Sequence, residues 1–231
     1  MTNPQALIIG VGDGLSAALA RNLAADHALT LVARSADKMQ ALAEETGAKT
    51  RQLDATDETA IAALFDDLPA PPRVAIYNPS ARVRGPIQEV SAEEVRRAVE
   101  VTAIGAFLMG KHAARRMLTA GPVAGCRGTI LFTGASAGVK GFPESASFAM
   151  GKFAQRGLAE SMARELHPKG IHVAWVNIDG AILTPGRTDP EDRPGALLRP
   201  EEIARTYRYL IEQERSAWTN EVALRPWLER F

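Results

Sequence analysis

The chain has 231 residues, 46% of them hydrophobic, and its 27 Lys and Arg are balanced by 27 Asp and Glu. That length and apolar content suit one well-buried domain spanning 1–231. The even charge supplies no global field that would draw nucleic acid or an anionic membrane. The longest apolar runs, such as Ala28-Leu29-Thr30-Leu31-Val32-Ala33, are strand-length and far short of a membrane span. Nothing after Met1-Thr2-Asn3-Pro4 reads as a signal peptide. The single Cys126 cannot form an internal disulfide and fits a cytoplasmic location. His27, His112, His167 and His172 lack metal-ligand spacing, so no metal is expected.

Short apolar runs alternate with amphipathic stretches from end to end. Strands are expected at 5–10, 29–33, 49–53, 73–78, 128–133, 172–178 and 221–224. Helices are expected at 15–25, 36–46, 58–68, 92–118, 147–166 and 200–213, with Ser91 and Arg199-Pro200-Glu201 as N-terminal signals. This alternation describes an α/β fold, a doubly wound parallel sheet of about seven strands with helices on both faces. There is no internal repeat and no linker. The one notable irregular region, 184–198, is rich in Pro, Gly and charge.

The first strand runs into Gly10-Val11-Gly12-Asp13-Gly14-Leu15-Ser16 and then a helix. Glycines at such a turn let the backbone approach a pyrophosphate and aim helix N-terminal amides at it, so the turn reads as a dinucleotide site. The second strand ends Val32-Ala33-Arg34-Ser35, where an acidic residue would suit the ribose hydroxyls of NAD. The Arg34 guanidinium instead suits a 2′-phosphate, favouring NADP(H) with NAD(H) possible, or else it solvates a strand end.

Further on, Thr129-Ile130-Leu131-Phe132-Thr133-Gly134-Ala135 is followed by Gly138, Gly141 and Pro143 and then by Phe148-Ala149-Met150-Gly151-Lys152. With the glycine turn, this layout resembles the short-chain dehydrogenase/reductase family, a Rossmann-fold family in which Ser, Tyr and Lys converge beside a nicotinamide ring. Ala135 stands where that family keeps its Ser, and Phe148 where it keeps its Tyr. Thr102, in Val101-Thr102-Ala103, stands where it keeps an Asn on the fourth helix. Lys152 alone remains. A benzyl side chain cannot exchange a proton, and an alanine cannot orient a carbonyl.

The resemblance covers essentially the whole chain. It implies cofactor contacts from Gly10, Gly12, Gly14, Leu15, Ser16, Arg34, Ser35, Asp54, Asn78, Lys152, Gly180 and Thr184. For Asp54 and Asn78 a turn-capping role is the plain alternative, and Asp179 replaces a proline of the family's Pro-Gly-x-x-x-Thr-Pro run. It also implies a substrate lid at 184–198, where a long surface loop is the alternative. Ser136, Ser147, Thr133, Tyr77 and Asp179 lie near enough to be considered as replacement proton donors, with Ser136 and Asp179 preferred. Two functions remain open. One is an atypical NADP(H)-dependent oxidoreductase acting on a small carbonyl or activated alkene, with Lys152, Ser136 and Asp179 as the catalytic set. The other is a catalytically silent NADP(H)-binding sensor, scaffold or partner subunit. The resemblance further implies a homodimer or homotetramer through the fourth and fifth helices. There Phe153, Leu158 and Met162 either form the interface stripe or face the home sheet.

Overall fold

The computed structural model describes residues 3–229. Seven strands, β1 (Gln5–Ile9), β2 (Ala28–Ala33), β3 (Lys49–Gln52), β4 (Val74–Tyr77), β5 (Gly128–Thr133), β6 (Ile171–Ile178) and β7 (Glu221–Leu224), form one sheet in the order β3-β2-β1-β4-β5-β6-β7. Every pairing is parallel. Around it lie α1 (Leu15–Leu23), α2 (Asp37–Thr46), α3 (Glu58–Asp66), α4 (Ala92–Val99), α5 (Gly105–Thr119), α6 (Ala146–Leu166) and α7 (Pro200–Glu212).

Both faces of the sheet are buried, so central strands read as nearly unbroken apolar runs. Along β1, Ala6 and Ile8 point into one core with Leu19, Leu23 and Tyr207, while Leu7 and Ile9 point into the other with Phe65, Met109 and Ile130. The edge strand β3, Lys-Thr-Arg-Gln, is exposed throughout, and its two cations discourage edge-to-edge pairing. The chain order reverses between β1 and β4. The C-terminal ends of those neighbours therefore open a crevice, the usual ligand position of doubly wound sheets.

The long fourth helix departs from expectation. It begins as predicted at Ser91, whose hydroxyl accepts the Glu94 N–H in a capping box. It does not run unbroken through 92–118, because a π-helical turn over Glu100–Ile104 separates α4 from α5. Tyr77, fully buried at the end of β4, donates its hydroxyl to the Val101 carbonyl, and Gly105 leaves the space that the phenol fills. Thr102 sits inside that turn, and such bulges accompany functional sites.

Candidate active site and cofactor cleft

Two adjoining cavities, of about 470 and 480 Å³, line the C-terminal ends of β1, β2, β4, β5 and β6. They share Gly10, Val11 and Ser80. The first holds Arg34, Ser35, Asp54 and Val101. The second holds the rest of the glycine turn, then Asn78, Arg82, Ala135, Ser136, Phe148, Lys152, Gly180 and Thr184.

The glycine turn is held from within. Gly10 has φ +88°, and a Cβ there would lie 2.6 Å from the Pro79 ring, so both its conformation and its neighbour demand glycine. Ser16 donates its hydroxyl to the Gly10 carbonyl at 2.8 Å, and Asn78 Nδ2 donates to the Ser16 Oγ at 2.6 Å and to Gly10 O at 3.2 Å. Ser16 thus stitches the turn together. Nothing lies within 4 Å of where a Gly12 Cβ would be, which leaves that backbone open to a ligand, whereas Gly14 is approached by the Thr184 methyl. Leu15 is buried in the core and contributes through the start of α1.

At the other end, the Asp54 carboxylate accepts the Thr56 N–H at 3.0 Å and its hydroxyl at 2.9 Å through one oxygen. Those bonds, helped by the charges of Arg34 and Arg97, hold it below the usual carboxylate range. The capping role is therefore present, and the second oxygen makes no hydrogen bond within the protein among the described residues. Arg34 is exposed and joins Arg96 and Arg97 of α4 around a smaller hollow of about 280 Å³ beside Asp54. Nothing in the residue pattern pointed to Arg96 and Arg97, which only the α4 crossover brings beside β2.

At the catalytic end, Ala135 is extended (φ −158°, ψ 162°) and Phe148 is half-buried. Two cations approach its ring, with Arg82 Cζ 5.4 Å and Lys152 Nζ 5.9 Å from the centroid. Lys152 is 2% exposed and donates to the Thr133 carbonyl at 2.6 Å and to Gln155 Oε1 at 3.3 Å. Gln155 in turn donates to the Thr102 carbonyl at 3.3 Å. Burial lowers the Lys152 ammonium to a pKa of about 7. Gln155 was missed in the sequence, although a polar residue three positions after the lysine places both on one helical face.

The candidate proton donors separate clearly. Ser136 lines the cavity, and its hydroxyl makes no hydrogen bond among the described residues. Asp179 does not line it; its carboxylate is 3.0 Å from Arg225, which makes it an acceptor already engaged and corrects its reading as a donor. Ser147 is spent on Val83, accepting its N–H and donating to its carbonyl, each at 3.0 Å. The Thr133 hydroxyl pairs with Tyr207 Oη at 2.7 Å, and burial raises the Tyr77 phenol far above any working range. Gly180, at φ +155°, lies against Pro226.

The 184–198 segment is an ordered loop whose ends meet, with Leu183 N–H donating to Leu198 O and Leu198 N–H to Ala181 O. Its interior is gathered by Asp189, whose carboxylate accepts the N–H groups of Gly195 and Leu197 at 2.9 Å each. On α6, Phe153 is exposed while Leu158 and Met162 pack toward the sheet, so the expected stripe divides between the two alternatives.

This strand order, crevice and glycine turn define a doubly wound nucleotide-binding class of protein. The family model for short chain dehydrogenase matches residues 4–193, and the chain belongs to that family of oxidoreductases. It is 30% identical over 229 residues to cis-4-hydroxycyclohexanecarboxylate dehydrogenase of Sinomonas cyclohexanicum, covering 91% of this chain and 90% of that protein. A short-chain dehydrogenase structure from Rhodopseudomonas palustris superposes with a TM-score of 0.82 at 35% identity, covering 98% of this chain and all of the other. A metagenomic short-chain oxidoreductase in complex with NADP superposes with a TM-score of 0.83 at 24% identity, covering 99% of each chain, and supports the fold.

Proposed function

We propose that this chain is an atypical NADP(H)-dependent oxidoreductase acting on a small carbonyl or activated alkene. The observation that carries the reading is the pair of adjoining cavities, with Arg34 at one end and Ser136, Phe148 and Lys152 at the other. The cradle fits a dinucleotide: Gly10 admits no side chain, the Gly12 backbone is open, and the turn leads into a helix N-terminus suited to a pyrophosphate. Arg34 and Ser35 take a 2′-phosphate, the free oxygen of Asp54 an adenine amino group, and Gly180 and Thr184 the carboxamide end.

Bound there, the nicotinamide would supply the transferable hydride. The chain's own part is to orient and exclude. Lys152, as an ammonium, has three protons, of which Thr133 O and Gln155 take two, leaving one for a ribose hydroxyl. Ser136 offers the hydroxyl closest at hand for a substrate oxygen, with water as the ultimate proton source. Read as a lid, the 184–198 loop would close over this end from its base, where the Thr184 methyl lies against Gly14.

A second reading, a silent NADP(H)-binding sensor or partner subunit, is favoured by the apolar Ala135 and Phe148 and by Lys152 already holding protein partners. Single-turnover assays with NADPH-loaded protein and a panel of small ketones and enones separate the two. Substrate-dependent oxidation of NADPH supports the enzyme, and tight NADPH binding without it supports the sensor.

The exposed apolar side chains Ile104, Phe107, Met150 and Phe153, 45–54% exposed, support a homodimer or homotetramer through α5 and α6. No helix among the described residues is long and apolar enough to cross a membrane. The lone cysteine accords with work in the cytoplasm.

A further inference from the structure

We propose that Arg82 reads an anionic group at the substrate end of the cleft, and that the substrates are small carboxylates whose carboxylate seats on the Arg82 guanidinium beside Phe148. The proposal rests on the reading of this cavity as an oxidoreductase's substrate site.

The loop after β4 presents Arg82 from a fixed backbone. On one side the Ala81 N–H donates to Thr102 Oγ1 at 3.1 Å. On the other, Val83 exchanges two hydrogen bonds of 3.0 Å with the Ser147 hydroxyl. Thr102 stands where the family keeps an Asn, and Ser147 precedes the Phe148 that stands for its Tyr. Two side chains at the altered site thus hold the residues flanking Arg82, the kind of preorganisation that a binding group needs.

The side chain itself lines the 480 Å³ cavity and lies over the Phe148 ring, Cζ 5.4 Å from the centroid. At that distance the π face of the Phe148 ring attracts the weakly hydrated guanidinium. With no other partner for its N–H groups among the described residues, the fork can meet a carboxylate in bidentate fashion. Arg82 makes no ion pair and no hydrogen bond among the described residues. The Arg82 side chain is exposed, and slight desolvation with repulsion from Arg84 lowers its affinity for its proton.

The charges around the cavity leave this role open. Its one carboxylate, Asp13, belongs to the glycine turn, and its other cation, Lys152, is buried and committed to Thr133 O and Gln155. A pyrophosphate is served by the turn's backbone. The guanidinium beside Phe148 is therefore the group available to an anion at the catalytic end.

The test is calorimetric titration of the protein, with and without saturating NADPH, using benzoate and its neutral isostere benzamide, on wild type, Arg82→Gln and Arg82→Lys. The expected result is benzoate binding about tenfold tighter than benzamide. That preference should vanish in Arg82→Gln and partly persist in Arg82→Lys, while NADPH affinity stays within about twofold of wild type. Equal binding of the two probes, no binding of benzoate, or a benzoate preference that survives Arg82→Gln overturns the proposal. So does an Arg82→Gln variant that loses NADPH and keeps benzoate, which would assign the arginine to the dinucleotide. If wild type binds no NADPH, the oxidoreductase reading fails, while the titrations without nucleotide still decide the role of Arg82.

Discussion

Lys152 and Gln155 lie three residues apart on α6, Nζ 3.3 Å from Oε1, and Gln155 passes the contact on to the Thr102 carbonyl. A side-chain amide thus bridges the buried lysine to the π-helical turn. Because burial holds the folded lysine near a pKa of about 7 against an ordinary value of 10.5, the unfolded chain binds more protons between those two pH values. Stability should therefore rise with pH from about 7 toward 10, by up to about 1.4 kcal/mol per unit from this group. Urea unfolding across that range should show the rise in wild type and lose it in Lys152→Met; identical pH dependence in both proteins would contradict the assignment.

Installing hydroxyls at positions 135 and 148 tests the proposed catalytic layout. Phe148→Tyr with Ala135→Ser should raise NADPH-dependent reduction of a small ketone by about 10²-fold or more, the range of a positioned acid with an orienting donor. Steady-state absorbance at the nicotinamide band measures it. No gain would locate the deficit instead in Lys152, held by Thr133 and Gln155 away from a new phenol.

Behind the cavity wall at Gly134 lies Trp175, 1% exposed, and a Cβ at Gly134 would come within 2.3 Å of its indole ring. Gly134→Ala should cost about 1–3 kcal/mol, as overpacking does, and Trp175→Phe in the same chain should recover part of it. Chemical denaturation of the two single variants and the double variant gives the coupling; strict additivity would mean that the two residues do not meet.

Asp189 accepts two backbone N–H groups across the 184–198 loop, and those bonds hold its carboxyl below the usual range. Asp189→Ala should loosen the chain around the already exposed Arg187, so limited trypsin cleavage after Arg187 should quicken with little change in the melting temperature of the domain. Unchanged cleavage would show that the loop is ordered by other contacts.

The elements were legible because the core is two-sided. Runs such as Leu7-Ile8-Ile9 and Val74-Ala75-Ile76-Tyr77 are apolar on both faces, and the helices between them carry a clear 3.6-residue period. The break at Thr102 was not legible, since its cause is the Tyr77 hydroxyl from another strand. Gly10, Asn78, Ala135 and Phe148, singled out by their spacing, line one cavity. What Ser16, Asp179 and Lys152 bond to was not legible, because Asn78, Arg225 and Gln155 are brought to them by the fold or by a helical turn rather than by a motif. Arg82 lies in irregular chain, where no period points to a binding role.

The most direct test of the account is titration of the protein with NADPH and NADH, followed by nicotinamide fluorescence, in wild type and Arg34→Asp. The account predicts saturable NADPH binding that Arg34→Asp weakens by about tenfold or more, the worth of a charge-assisted phosphate contact, with NADH binding left the same or improved. Binding of neither nucleotide by wild type would contradict the account at its root.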